Sequence, residues 1–173
     1  MYFMNYEIIK TENARILRKS FIDEFIDKSS EYYIKNISDK NNFCEYIPYR
    51  GYLWDCYNYP DCNIISFEVA LKKLGEFNRV FIMSDLHDKS IVSNDNYFKF
   101  PIGTIISSSG KSAVKQISSD EYCYRNATNL LPEDIYVFDD SLKWHITFTH
   151  ESTENSERYC LFQNSIHVHT LHE

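Results

Sequence analysis

The sequence predicts an α+β fold, with helices packed on an antiparallel sheet that ends in a C-terminal β-meander. Three observations carry that reading. Apolar side chains recur at helical spacing between residues 12 and 28, and the last third alternates at the strand period around turn residues. No repeat or low-complexity linker interrupts the chain, and four glycines with four prolines leave little room for a hinge, so residues 1–173 are expected to form a single domain. With 43% apolar and 25% charged residues the composition is that of a globular protein.

The first predicted element is a helix from Glu12 to Lys28 with Thr11 as its N-cap. Leu17, Phe21 and Phe25 form an apolar stripe beside Ile22 and Ile26, and Arg18, Lys19, Asp23, Glu24 and Asp27 are assigned to the solvent side. A short second helix follows through Tyr32, Tyr33 and Ile37. Residues 43–60 hold seven aromatics, among them Tyr49, Tyr52, Trp54 and Tyr57. Gly51 to Tyr57 reads as a strand closed by the turn Asn58–Asp61.

A helix is then expected from Phe67 to Leu74, capped by Ser66 and stopped by Gly75, with Phe67, Ala70, Leu71 and Leu74 inward. Arg79 to Ser84 is a short apolar strand. Phe98 to Ser107 is a second, which Pro101 and Gly103 mark as an edge or a bulge. Lys111 to Leu131 is read as helical in part. Asp134–Asp139 and Lys143–His150 alternate around the turn Asp139–Leu142, and Arg158–Gln163 supplies a third strand. Trp144, Ile146, Phe148 and His150 share one face of the middle strand, taken as buried. His145, Thr147 and Thr149 take the other face, expected to stay wet.

Charge narrows the function classes. Residues 119–173 carry ten carboxylates against Arg125, Lys143 and Arg158, which accounts for the whole net charge of −7. Such a field repels nucleic acid and acidic membranes and attracts a basic protein. The aromatic-rich segment 43–60 lacks the interleaved cations of a base-stacking platform, since only Arg50 stands in it; that judgement would change if the fold gathered Arg50, Arg79, Lys111 and Lys115. Met1 to Lys10 has neither a basic start nor a continuous apolar stretch, so no secretory leader is expected. Five cysteines without a C-x-x-C pair fit reduced thiols and a cytoplasmic location.

Three fragments have the look of chemistry. Ser84-Asp85-Leu86-His87, directly after an apolar strand, resembles the opening motif of calcineurin-like metallophosphoesterases. The Gly-Asp and Gly-Asn-His motifs of that family are absent, and Ile166-His167-Val168-His169 copies its last motif without the glycine. A metal-dependent phosphoesterase using Asp85, His87, His167 and His169 is therefore the alternative reading. Ser109-Gly110-Lys111-Ser112 is the end of a phosphate-binding loop whose first glycine is missing, so Ser109 or Ser112 is read as a helix cap or polar loop. His145, His150, His167, His169 and His172 gather near the C-terminus, and His167 and His169 would share one face of an extended segment. No Ser/His/Asp or Cys/His nucleophile set is visible. A non-enzymatic protein without cofactor or metal is the expectation.

The stretch Leu131–Glu151 runs Pro132-Glu133-Asp134-Ile135-Tyr136-Val137, turns through Asp139–Leu142, and returns along a Trp144-bearing strand ending Thr149-His150-Glu151. It resembles small bacterial proteins similar in setting to the immunity proteins of polymorphic toxins, including contact-dependent growth-inhibition systems. The resemblance covers about 21 of the 173 residues and implies no catalytic residue. It implies an antitoxin that occludes a cognate toxin domain. Toxins that cut nucleic acid are basic because their substrate is a polyanion, and an acidic inhibitor can mimic that substrate. Glu133, Asp134, Asp139, Asp140, Glu151, Glu154 and Glu157 are the candidate partner-binding residues. The 133–140 set is expected at one end of the hairpin and the 151–157 set at the other, with the former favoured.

Overall fold

A computed structural model describes residues 5–38, 49–57, 61–87, 100–122, 130–154 and 158–164. Within them the chain folds as α+β, in the order β1 (Tyr6–Ile8), α1 (Thr11–Phe25), α2 (Glu31–Asn36), a 3-10 turn (Leu53–Cys56), β2 (Cys62–Ser66), α3 (Phe67–Leu74), β3 (Val80–Met83), β4 (Ile106–Ser108), α4 (Gly110–Tyr122), β5 (Ile135–Phe138), β6 (Trp144–Ser152) and β7 (Arg158–Asn164). The seven strands form one sheet in the order β1-β4-β3-β5-β6-β7-β2, with every neighbouring pair antiparallel.

Both faces of this sheet are covered. On one, Phe21, Ile22 and Phe25 of α1 meet Phe81, Met83, Tyr136, Phe138 and Leu161. On the other, Ala70 and Leu74 of α3 and Ala113 and Ile117 of α4 meet Val80, Ile82, Val137, Trp144, Ile146 and Phe148. That is why β3 and β5 read as unbroken apolar runs rather than alternating ones: all four residues of each are buried.

The predicted wet face of β6 is dry. His145, Thr147 and Thr149 are fully buried, because α1 and the segment around Tyr57 lie across them. The His145 ring packs against Phe25 at 4.6 Å and Tyr57 at 4.5 Å. Their polar atoms are matched within the layer: Thr147 Oγ1 lies 2.6 Å from the Tyr57 hydroxyl and 3.3 Å from His145 Nδ1, and His145 Nε2 lies 3.2 Å from Gln163 Oε1.

The helices follow their sequence signals with two departures. α3 spans the predicted residues, with Ser66 Oγ accepting from Val69 N–H and Gly75 at the C-cap. α1 starts at Thr11 behind Lys10, without a side-chain cap, and ends at Phe25. Its buried face is Ala14, Arg18, Phe21, Ile22 and Phe25, so Arg18, assigned to the solvent side, is inside. α4 resolves the ambiguous stretch after Lys111, and Ser109 caps it by accepting from Ser112 N–H.

The aromatic segment departs further: Leu53–Cys56 is a 3-10 turn, not a strand. Among the described residues of the predicted 98–107 strand, Ile106 and Ser107 are extended, in a strand that runs on to Ser108. Pro101 to Thr104 turns, with Gly103 at φ 84, and β4 is an interior strand rather than an edge. The edges are β1 and β2, which sequence reasoning did not anticipate.

Candidate functional site: the acidic end of the sheet

Antiparallel pairing decides which residues meet. β3 leaves the sheet at Met83, beside the point where β5 enters at Ile135, and β6 runs back past that end to Ser152. Ser84–His87, Glu133–Asp134 and His150–Glu151 therefore converge on one end of the sheet. The 3-10 turn is fastened over them by Tyr49 N–H to Leu86 O at 2.8 Å, Leu53 N–H to Asp85 Oδ1 at 3.1 Å and Trp54 N–H to the Tyr136 hydroxyl at 3.3 Å.

Asp85 is the internal anchor. Its carboxylate is buried and accepts from the hydroxyls of Tyr49 at 2.6 Å and Tyr136 at 2.7 Å as well as from Leu53 N–H. Burial raises its pKa, opposed by His87 and by these hydrogen bonds. Burial, together with the Asp85 charge, holds both phenols far above their ordinary value. They stay protonated and donate, and three donors on two oxygens is the arrangement of an ionised carboxylate. Next to it, Arg18 Nη1 donates to Ser84 O at 2.9 Å, while its Nε and Nη2 have no hydrogen-bond partner among the described residues. A buried cation and a buried anion are thus brought to consecutive residues of one segment.

Outside this anchor lies a cluster of acids and aromatics. Asp134, itself buried, accepts from His150 N–H at 2.8 Å and lies 2.9 Å from His150 Nδ1. Glu151 Oε1 is 3.7 Å from His150 Nε2. The hydrogen bond to Asp134 raises the His150 pKa. Tyr52 stands between two imidazoles, 4.8 Å from His87 and 5.3 Å from His150, with Trp54 at 5.1 Å. Its phenol is pushed up to about 12 by burial and by the combined field of Asp134, Asp85, Asp55 and Glu133. Burial also raises the carboxyl of Asp55, and Glu151 and Asp134 raise it further. The Arg158 guanidinium is engaged by two carbonyls, Thr149 O at 2.7 Å and Glu133 O at 2.6 Å.

The structure regroups the candidate acids. Glu133 and Asp134 precede β5 while Asp139 and Asp140 follow it, roughly 16 Å away along the strand. The expected 133–140 set does not exist as one cluster, because a strand separates its halves. Glu133 and Asp134 instead join Glu151, and Asp55 completes the group. Asp139 shapes the hairpin turn, accepting from Ser141 N–H and from Trp144 Nε1 at 2.9 Å, and Asp140 lies 3.6 Å from Arg79. Glu154 is exposed just past β6, and Glu157 lies outside the described residues.

Other sequence candidates are placed as follows. His87 Nε2 is 3.9 Å from Asp85 Oδ2. His167, His169 and His172 lie outside the described residues. Among the described residues no three His, Cys, Asp or Glu side chains are grouped to hold a metal. His145 belongs to the core. The thiols of Cys56 and Cys62 are pushed up to about 12 by burial, the opposite of an activated nucleophile. Arg50 and Arg79 flank opposite ends of β3, so the cations that would have reopened a nucleic-acid reading are not gathered. Among the described residues no helix is long and apolar enough to cross a membrane.

Sequence reasoning missed Asp55, Tyr52 and Tyr136. The only signal for the first two was the density of aromatics around them. Comparison of the chain with family models, with curated proteins and with solved structures finds no match.

Proposed function

We propose that this chain is an immunity protein that binds a basic toxin domain through the acidic end of its sheet and blocks it without turnover. The observation that supports this reading most is the convergence of Asp55, Glu133, Asp134 and Glu151 from three separate segments around Tyr52, Trp54 and His150. Burial, and after it the field of Asp134, Asp85, Asp55 and Glu133, pushes up the Tyr52 phenol. Carboxylates around the accessible rings of Tyr52 and His150, with Trp54 buried behind them, match what a basic protein presents: lysine and arginine heads for the acids, their stems and π-faces for the rings. Electrostatic steering would raise the association rate and make it fall with salt. A cytoplasmic site of action fits thiols that burial keeps neutral. The phosphoesterase alternative gains nothing from Asp85, whose oxygens are taken up by Tyr49, Tyr136 and Leu53 N–H.

Co-expression with the toxin domain encoded by the neighbouring gene tests the proposal. Cells should survive, and the two proteins should co-purify. The variant carrying D55N, E133Q and E151Q should fold, associate at least tenfold more slowly at low salt and lose most of its salt dependence. Wild-type protein that neither protects nor co-purifies would remove the function. Protection with a variant indistinguishable from wild type would place the docking surface elsewhere.

A further inference from the structure

At the other end of the sheet, the start of β1, the end of β4 and the residues entering β3 enclose an open cleft of about 310 Å³. Its chemistry is carried by Glu7, Asn78, Arg79 and Ser107, with Tyr6 and Ser109 at its borders. Glu7 pairs with Ser107, and Ser107 with Phe81, so the three project from the same face. The Arg79 guanidinium lies 5.0 Å over the Phe81 ring. A carboxylate, a hydroxyl and a guanidinium therefore stand side by side on the sheet.

These groups are not used up by the fold. Ser107 is only 4% exposed, and its hydroxyl has no hydrogen-bond partner among the described residues. What little of it remains accessible lines the cleft. Glu7 and Asn78 make no ion pair or side-chain hydrogen bond among the described residues either. Arg79 forms a solvent-exposed ion pair with Asp140 at 3.6 Å, both side chains more than half exposed, which a ligand carboxylate would share or displace. Helix α4 begins just past Ser109 but packs on the opposite face of the sheet, and its first N–H groups are bonded to Phe77 O and Ser109, so it adds no donor to the cleft. The Ser107 hydroxyl, left without a protein partner among the described residues, faces the cleft, where water or a ligand can meet it.

We infer that this cleft binds a small zwitterion of amino-acid type. Arg79 would take its carboxylate and Glu7 its ammonium, with Ser107 and Asn78 bonding the polar atoms between. A simple anion would be repelled by Glu7 and a simple amine by Arg79, whereas a ligand carrying both signs meets both. The volume is at the small end for ligand sites, suited to one such molecule. This inference is independent of the antitoxin reading, since the two sites lie at opposite ends of β3.

Titration of the ¹⁵N-labelled protein with the common amino acids tests it, with acetate, methylammonium and inorganic phosphate as probes of single sign. At least one amino acid should give saturable shifts at the amides of Glu7, Ser107 and Ser109, about tenfold tighter than any of the three probes. The exposed-site variants E7Q and R79M should keep the spectrum elsewhere and weaken that binding about tenfold each. No saturable shift with any amino acid would overturn the inference. So would phosphate or acetate binding as tightly, or E7Q retaining full affinity.

Discussion

Acidification probes the dry face of β6 most directly, through His145. The ring is enclosed by Phe21, Phe25 and Tyr57, and burial pushes its pKa down to about 3, against only a weak opposing hydrogen bond to Gln163. The folded protein therefore holds His145 neutral, while the unfolded chain takes up a proton near the ordinary value of about 6.5. A depressed histidine has no effect on stability above its unfolded pKa. Below it, only the unfolded state is protonated, so stability falls with pH by up to 1.36 kcal/mol per unit until the folded pKa is reached. Over the span from 6.5 to about 3 the total is about 5 kcal/mol, comparable to the whole stability of many domains. Carboxylates titrate in the lower part of this range, so the measurement is a comparison. Urea unfolding of wild type and H145Q at pH 7, 6, 5 and 4.5 should show the variant less stable by a constant packing term at pH 7. It should then gain on wild type by about 1 kcal/mol per pH unit below 6. Parallel curves, or an imidazole that titrates near 6.5 by NMR in the folded protein, would refute the burial argument.

Three further outcomes follow from the geometry. D85N turns one accepting oxygen into a donor facing Tyr49 or Tyr136 and leaves Arg18 without its neighbouring anion; it should cost about 3 kcal/mol in chemical denaturation, and R18M combined with it should recover part of the loss. G110A should be destabilised by several kcal/mol or fail to fold, since an added Cβ would sit 2.0 Å from Leu74 O, whereas G75A, whose Cβ would meet nothing closer than 3.5 Å, should gain about 0.5 kcal/mol. His150 has the opposite sign to His145: its raised pKa stabilises the fold fully below about 6.5, and the benefit is lost as pH rises through the raised folded value. With the side chain about a third exposed, wild type should lose at most about 1 kcal/mol relative to H150Q between pH 5.5 and 8.

The elements legible in the sequence are those whose signal is local. Ser66 marks the start of α3 because its hydroxyl accepts a first-turn N–H whatever surrounds it, and Gly75 marks the end, although it sits there in a right-handed conformation that any residue could adopt. Asp139 and the alternation on either side of it specify the β5–β6 hairpin in the same way. The stripe of α1 likewise predicted a helix, though Arg18 broke the rule that charges face out, since its partner, Ser84 O, is 66 residues away. The edge strands β1 and β2, of three and five residues, are too short to show a period and owe their form to pairing with β4 and β7. The wet-face reading of β6 failed because threonine and histidine alternate with apolar residues equally well whether solvent or a second layer covers them.

By itself the sequence determined the α+β class, the C-terminal meander and the concentration of carboxylates in the last third, because composition and short-range periodicity do not depend on distant partners. Only the tertiary structure decided which of those carboxylates meet. Strand direction sends Asp139 and Asp140 to one end of the sheet and brings Glu133, Asp134 and Glu151 to the other. It also adds Asp55 from a segment that no charge count had singled out. Charge per residue is a property of the chain. A field is a property of positions, and antiparallel pairing sets those.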